Sequence, residues 1–279
     1  MMRPDTARKY NYGVFSTRTG NIYTVALLRQ WLEWAFTQDA REPEIWADEN
    51  GMLRDPLRPE IEPDGFKTKE ALLAARERTF AALRRAIGTA DVFIFTLGLT
   101  ETWYNNDSGM IYPMYPGTQG GQFDPDLHRM KNAFCDTILS DFEAVLNLLH
   151  RHNPDLKVIL TVSPVSLTAT AEPDCHALVA NTYTKSVLRA VAGKAARRWA
   201  SVDYFPSYEL VATPPMRGMF YKPNLRTIEP AGVDFVMKAF FDCYTEPLKK
   251  QTAVARTTLP DKSEDLVCDE MILEFYNGG

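Results

Sequence analysis

Two short segments of the chain are apolar without interruption. They lie at 91–98 (DVFIFTLG) and 156–165 (LKVILTVSPV). Unbroken apolar runs of this length are typical of strands buried on both faces of a parallel sheet. A third, shorter strand is expected within 201–211 (SVDYFPSYELV). We therefore expect 92–97 and 158–162 to be neighbouring parallel strands.

Stretches with helical spacing or strong helix formers separate these runs. They predict helices at 25–36, 67–87, 125–151, 176–199 and 231–244. Because strands alternate with helices along the chain, the pattern predicts an α/β fold with a mainly parallel sheet covered on both faces.

Other segments fall outside this alternation. Residues 10–24 and 104–123 lack a clear period and are expected to be loops, whereas Asn50-Gly51 within 44–57 is a hairpin signal. We expect one main domain over 1–250, with the hairpin as an excursion. A polar C-terminal tail is expected over 251–279.

Composition and charge narrow the classes of partner. The net charge of -5 and the pI near 5.5 give no overall attraction to nucleic acid or to an anionic membrane. The sequence shows no leader and no apolar run near the ~20 residues that span a bilayer. We expect a soluble, cytoplasmic protein without a membrane span.

The cysteines argue against a metal motif. Cys135, Cys175, Cys243 and Cys268 are scattered along the chain and form no close pair of the kind that zinc and redox motifs use. We expect neither a metal nor another cofactor.

Polar residues follow the predicted strands directly. In an open parallel sheet, ligands bind beyond the carboxyl ends of the strands. Gly98 and Glu101 follow the first run, and Ser163 and Ser166 follow the second. We expect Gly98 and Ser163 to lie at the same edge of the sheet, where they would contribute to a binding cleft.

Five motifs occur in a consistent order between residues 10 and 245. They are RTGNIYT at 18–24, TLGLTETWY at 96–104, TVSPVSLTAT at 161–170, TYTKSVLRAVAG at 182–193 and DYFPSYELV at 203–211. Together they resemble the GSCFA family of SGNH-hydrolase-like proteins. The resemblance implies a three-layer α/β/α fold, flavodoxin-like, in which a serine near the N-terminus attacks an ester while glycine and asparagine donors hold the oxyanion.

The resemblance also suggests roles for individual residues. Gly98 to Glu101 takes the place of the third SGNH block, with Thr100 where the oxyanion-binding asparagine stands. Thr100 would donate through its hydroxyl, or else cap the segment after the strand with Glu101 in a salt bridge. Gly20 and Asn21 would donate to an oxyanion, or form only a turn. The candidate oxyanion or substrate contacts are Gly20, Asn21, Gly98 and Ser163.

Two catalytic elements of the family are not found in the sequence. The signature Gly-Ser-Cys-Phe-Ala, expected before YNYGVF, is absent, which predicts either a shortened start or a member without that element. No histidine occurs at 221–233, where the final SGNH block supplies one. Asn224 and Thr227 stand in the places of the orienting residue and the base, and neither accepts a proton at neutral pH.

His176 is the candidate for an alternative base. It follows the strand end at 161–170 and precedes a helix, so it would reach the cleft with a pKa near neutrality, or else be an exposed loop histidine. We expect Glu101 to orient its ring, with Thr100 in the same pocket. The candidate catalytic residues are therefore His176, Glu101 and Thr100.

Two functions remain open. The first is an ester hydrolase or acyltransferase that acts on acylated carbohydrate, with a small-molecule or glycan ester as its partner. The second is a catalytically silent module that binds a glycan or a protein. Because no serine lies in a recognisable nucleophile turn, we expect negligible turnover of generic short-chain esters. The sequence does not predict an oligomeric state.

Overall fold

The computed structural model describes residues 17–37 and 44–245, together with residues 6, 9, 10, 12, 14 and 15. The predicted tail at 251–279 lies outside the described residues, as does part of the predicted loop at 10–24. The helices in the described part are α1 (Val25–Phe36), α2 (Lys69–Thr89), α3 (Cys135–His152), α4 (Ala177–Arg198), α5 (Ser207–Ala212) and α6 (Pro230–Tyr244).

The strands in the same part of the chain form three sheets. They are β1 (Trp46–Ala47), β2 (Leu53–Arg54), β3 (Val92–Leu97), β4 (Glu101–Asn105), β5 (Ile111–Tyr112), β6 (His128–Asn132), β7 (Lys157–Val162) and β8 (Val202–Tyr204). The sheets have the strand orders β1-β2, β3-β7-β8 and β5-β4-β6. The fold is therefore mixed α/β.

The sheet β3-β7-β8 is parallel and carries the strands predicted from the apolar runs. Leu97 is paired with Val162 at the carboxyl ends of β3 and β7. The N–H of Ser163 donates to the carbonyl of Leu97 at 2.9 Å. This confirms that the two runs are neighbouring parallel strands and that Gly98 and Ser163 lie at one edge.

The two faces of the parallel sheet are covered unequally. Leu97, Leu160 and Val162 point into the main apolar core, where α1, α3 and α4 pack together. On the other face, a hydroxyl–hydroxyl hydrogen bond joins Thr161 to Ser207 of α5, and α6 packs on α5.

Burial differs between the two strands that were predicted to be buried on both faces. That prediction holds for β7, which is buried after Lys157. It is wrong for β3, where Val92 is 45% and Ile94 is 51% exposed. The physical reason is that β3 is an edge strand among the described residues. The helices described on the second face of this sheet lie towards β8, away from β3.

The antiparallel sheet β5-β4-β6 overturns two further predictions. Residues 128–132, expected to be helical, form β6, and Asn132 is paired with Glu101 of β4. The helix begins only at Cys135, because pairing with β4 fixes the preceding residues as a strand. The expected loop at 104–123 likewise contains β5, which pairs with β4.

Smaller differences concern chain reversals. The strand predicted at 201–211 ends at Tyr204, and α5 begins at Ser207. Strands β1 and β2 pair antiparallel, and Gly51 between them has a φ of +72°, a conformation that favours glycine. None of the described helices combines the length and the apolarity needed to cross a membrane.

Candidate functional site

A cleft of about 450 Å³ opens beyond the carboxyl ends of β3 and β7. We call it the strand-end cleft. Its walls come from the segment before α1, from the β3–β4 connection, from residues 113–115 and from residues 163–171. Lys185 of α4 and Arg226 complete the lining. A ligand site at this position is the one expected for an open parallel sheet.

A buried ion network anchors the loop that leads into the cleft. The carboxylate of Asp55 accepts from Arg58 at 2.9 Å and from Arg76 at 2.7 Å. Arg58 also donates to the carbonyl of Arg18 at 3.1 Å. Gly20 has a φ of +69°, and a Cβ there would lie 3.5 Å from the Cβ of Arg58. The network thus fixes the backbone just before Asn21.

Electrostatics keeps the centre of this network ionised. Burial raises the pKa of Asp55, but the charges of Arg76 and Arg58 outweigh the burial and hold that pKa below its ordinary value. The side chain of Asp55 is completely shielded from solvent. Because all three charges are paired, the network acts as a structural support for residues 18–20.

The backbone at the end of β3 is already occupied. The N–H groups of Gly98 and Leu99 both donate to the carbonyl of Tyr23, at 3.0 and 3.1 Å. A Cβ at Gly98 would lie 3.2 Å from that carbonyl oxygen, so the close approach favours glycine. These two N–H groups are therefore engaged within the protein, and the carbonyl of Gly98 faces Lys185.

The structure does not bring the three predicted catalytic residues together. Glu101 lines the strand-end cleft. Thr100 is 1% exposed, and its hydroxyl is hydrogen-bonded to that of Thr184 at 2.9 Å. His176 is exposed, and its Nδ1 accepts from the N–H of Leu178 at 3.2 Å, which caps the start of α4. The Thr100 hydroxyl thus joins the β3–β4 connection to α4, and the His176 ring caps the start of α4.

Glu101 and Ser163 line the cleft but use their polar atoms locally. The carboxylate of Glu101 accepts from the hydroxyl of Thr170 at 2.5 Å and from the N–H of Ala171 at 3.1 Å. The hydroxyl of Ser163 accepts from the N–H of Val165 at 3.2 Å. Both residues hold the 163–171 wall in place.

Asn21 is differently placed. It lines the cleft, and its side-chain amide has no hydrogen-bond partner among the described residues. Gly20, by contrast, packs on Arg58 just outside the lining. Of the residues expected to hold an oxyanion, Asn21 therefore retains free donor capacity towards a ligand.

Lys185 is a site residue that sequence reasoning missed. It is 2% exposed, and its Nζ donates to the carbonyl of Gly98 at 3.1 Å. No carboxylate in the described part of the chain pairs with it. Burial, together with the nearby charge of Arg226, lowers the pKa of Lys185 to about 8.

A sequence signal for Lys185 existed. It lies three residues before Leu188 and seven before Ala192, both of which are buried. That spacing places the lysine on the apolar stripe of its helix. A cation on the core-facing stripe is unusual, and it marks a position that needs a partner.

Arg226 is the second missed residue. Its Nε donates to the carbonyl of Ser166 at 3.1 Å. The preceding Leu225 has a φ of +56°, a left-handed conformation that a residue with a side chain adopts at a cost of about 1 kcal/mol. Arg226 therefore lies at the cleft by virtue of a tight turn within 221–233, the stretch where a histidine was sought.

Aromatic side chains form another wall of the cleft. The rings of Trp103 and Tyr115 meet edge to face, with centroids 4.8 Å apart, and Phe123 stacks on Tyr115 at the same distance. Trp103 and Tyr115 line the cleft together with Pro113 and Met114. An apolar wall opposite polar groups is typical of a small-molecule site.

The chemistry of the lining limits what the cleft can do. No histidine is among the residues that line it. No group of three or more histidine, cysteine, aspartate or glutamate side chains within the described residues could hold a metal ion. The described lining thus offers hydrogen bonds, positive charge and aromatic surface, without a histidine as proton acceptor.

Comparison with known protein families gives a match over most of the chain. The GSCFA family model matches residues 5–240, which include every segment of the strand-end cleft. No curated protein matches the chain.

Proposed function

The chain belongs to the GSCFA family, and we propose that its strand-end cleft takes an acylated carbohydrate, with ester hydrolysis or acyl transfer as the class of reaction. We also propose an SGNH-like three-layer arrangement. The parallel sheet β3-β7-β8 and the helices packed on it support this proposal. The observation that carries it is the cleft at the carboxyl ends of β3 and β7, with aromatic and polar walls.

The two kinds of wall suit a sugar ester. Trp103 and Tyr115 offer flat apolar surface to a sugar ring or an acyl group. Asn21 supplies an amide that is unpaired among the described residues, and Ser166 supplies a hydroxyl at the lining. A carbohydrate has apolar faces and hydroxyl groups at its rim, so both of its surfaces find partners in such a cleft.

The experiment compares an acetylated oligosaccharide with its deacetylated form, by titration calorimetry on the purified chain. We expect the acetylated form to bind more tightly, and Trp103→Ala to weaken its binding at least about tenfold, a factor that corresponds to ~1.4 kcal/mol. Trp34→Ala is the matched control, because Trp34 is also half-buried but lies outside the cleft. Equal loss in both variants, or no binding of either sugar, would contradict the proposal.

A second candidate is a module that binds the same ligand without turnover. It is favoured by the absence of histidine from the described lining and by the engagement of the Gly98 and Leu99 N–H groups with Tyr23. Hydrolysis of p-nitrophenyl acetate and of the acetylated oligosaccharide separates the two candidates. Binding without release of acetate supports the module. Robust turnover supports the enzyme, and a serine-directed phosphonate would then locate its nucleophile.

A further inference from the structure

We infer that the strand-end cleft recognises an anionic group on its ligand, a carboxylate or a phosphate, through Lys185 and Arg226. This inference rests on the proposed function only in taking the cleft as the ligand site. It adds that ligands with an anionic group bind the cleft more tightly than neutral ones.

The buried position of Lys185 favours an anionic ligand. An ammonium group with three N–H donors is 2% exposed, and the carbonyl of Gly98 takes one of them. Removing such a charge from water costs several kcal/mol unless an opposite charge compensates. No such charge is paired with it within the described part of the chain, and the cleft is the space it lines. A bound anion would supply the missing compensation.

The position of Arg226 at the cleft favours an anionic ligand as well. Asn224 holds its turn, because the Asn224 Oδ1 accepts from the N–H groups of Arg226 and Thr227 at 3.0 and 2.9 Å. The Arg226 Nε is bound to the carbonyl of Ser166. Its terminal nitrogens have no carboxylate partner among the described residues, so the planar end of the guanidinium remains able to bind an anion in bidentate fashion.

Cations outnumber carboxylates in the lining of the cleft. Two cations, Lys185 and Arg226, are close enough to repel one another. The lining holds one carboxylate, that of Glu101, and both of its oxygens accept hydrogen bonds from the 163–171 wall. A pair of cations with no acid of their own is the arrangement that attracts an anionic ligand.

The aromatic wall limits the kind of anion. Trp103 and Tyr115 lie in the same cleft as the two cations, so a ligand that fills it presents a flat apolar surface as well as a negative charge. A sugar acid and a sugar phosphate both meet this description. The carboxylate and the phosphate share the recognition chemistry, and the experiment distinguishes them.

The test titrates the purified chain with glucuronate, glucose 6-phosphate, inorganic phosphate and glucose at neutral pH. We expect glucuronate or glucose 6-phosphate to bind at least about tenfold more tightly than glucose, and the tighter of the two identifies the anion. Lys185→Met and Arg226→Gln should each remove this preference. Lys194→Met is the matched control, because Lys194 lies on the same helix but is 56% exposed and outside the cleft.

The outcomes separate this inference from the proposed function. If all sugars bind alike and neither variant changes their affinity, the anion site is refuted, whereas binding of a neutral acetylated oligosaccharide would leave the proposed function intact. If inorganic phosphate binds in a Lys185-dependent manner and no carbohydrate does, the anion site stands and the carbohydrate proposal fails. Arg226 lies on a surface turn, so its replacement should not prevent folding. Arg226→Gln therefore tests the inference even if Lys185→Met fails to fold.

Discussion

Two regions of this protein bury a cation, and they do so in opposite ways. In the network below the 18–21 loop, Arg58 and Arg76 share the carboxylate of Asp55 at 2.9 and 2.7 Å. In the strand-end cleft, Lys185 has a carbonyl oxygen, that of Gly98, as its single partner among the described residues. Arg58 and Lys185 are equally inaccessible, each 2% exposed. The two side chains are thus equally buried. Arg58 is paired with a carboxylate, whereas Lys185 has no carboxylate partner among the described residues.

The difference separates a structural charge from a functional one. In the Asp55 network each cation has a carboxylate partner in the protein itself, and the network fixes the backbone at Arg18 and Gly20. Lys185 lacks a counter-charge in the described residues and lines a cleft. A buried titratable group whose environment opposes its charge is a marker of functional sites.

Loss of the shared carboxylate should give the largest effect. Asp55→Asn leaves Arg58 and Arg76 buried without compensation, so we expect the free energy of unfolding to fall by about 3–5 kcal/mol. Urea denaturation measures it. Asp64→Asn is the control, because Asp64 pairs with Lys9 while 67% exposed, and it should change stability little. Equal stability of Asp55→Asn and Asp64→Asn would contradict the claim that Asp55 compensates two buried cations.

Replacement of a cation by methionine should have opposite consequences in the two regions. Arg76→Met breaks a paired network and should destabilise the protein by about 2 kcal/mol. Lys185→Met removes an uncompensated charge and should leave stability unchanged or raise it by about 1–2 kcal/mol. Thermal and urea unfolding of both variants check the signs. A large loss of stability in Lys185→Met would identify the lysine as structural.

The same contrast predicts a pH dependence. The pKa of Lys185 is about 8 in the folded protein and 10.5 ordinarily, so the unfolded chain binds more protons between these values. Stability therefore rises with pH across this window relative to Lys185→Met, by at most about 3 kcal/mol. Below pH 8, where Lys185 is charged in the folded protein, its full destabilising effect is present. Unfolding curves of the protein and of Lys185→Met at several pH values give the difference between their free energies of unfolding. The contributions of the other titrating groups cancel in this difference. A flat difference would contradict the assignment.

Asp55 provides the complementary window. Its pKa is held below the ordinary value, so its contribution is present above about pH 4 and is lost as the pH falls through the folded-state pKa. The two regions should therefore change the stability of the protein at opposite ends of the pH scale.

Sequence patterns were sufficient for the centre of the fold. The unbroken runs predicted β3 and β7 as parallel neighbours, with Gly98 and Ser163 at one edge, because a strand inside a parallel sheet has few polar positions. They failed for β6, since the polar residues 128–132 become a strand only by pairing with β4. The exposed face of β3 was missed because the pattern shows apolarity but not which neighbours cover it.

The site was harder to predict than the fold. Strand ends and motifs predicted a cleft at this edge of the sheet, where the structure has a cavity that Asn21 lines, and the role assigned to Asn21 stays a prediction. They could not show that the Thr100 hydroxyl is hydrogen-bonded to Thr184 or that the His176 ring caps α4, because both contacts depend on packing. Lys185 was overlooked although its spacing places it on the apolar stripe of its helix, and Arg226 looks like an ordinary solvated cation until its turn is known.

The protonation of Lys185 decides whether the strand-end cleft holds a buried charge that an anion compensates. Lysine-selective ¹³Cε labelling allows its titration to be followed by NMR, and the resonance is assigned by its absence from Lys185→Met. We expect a pKa near 8 in the free protein, which rises by about one unit or more when glucuronate or glucose 6-phosphate saturates the cleft. A pKa of 10.5 that neither anion changes would show that the charge is solvated and that the cleft does not recognise an anion.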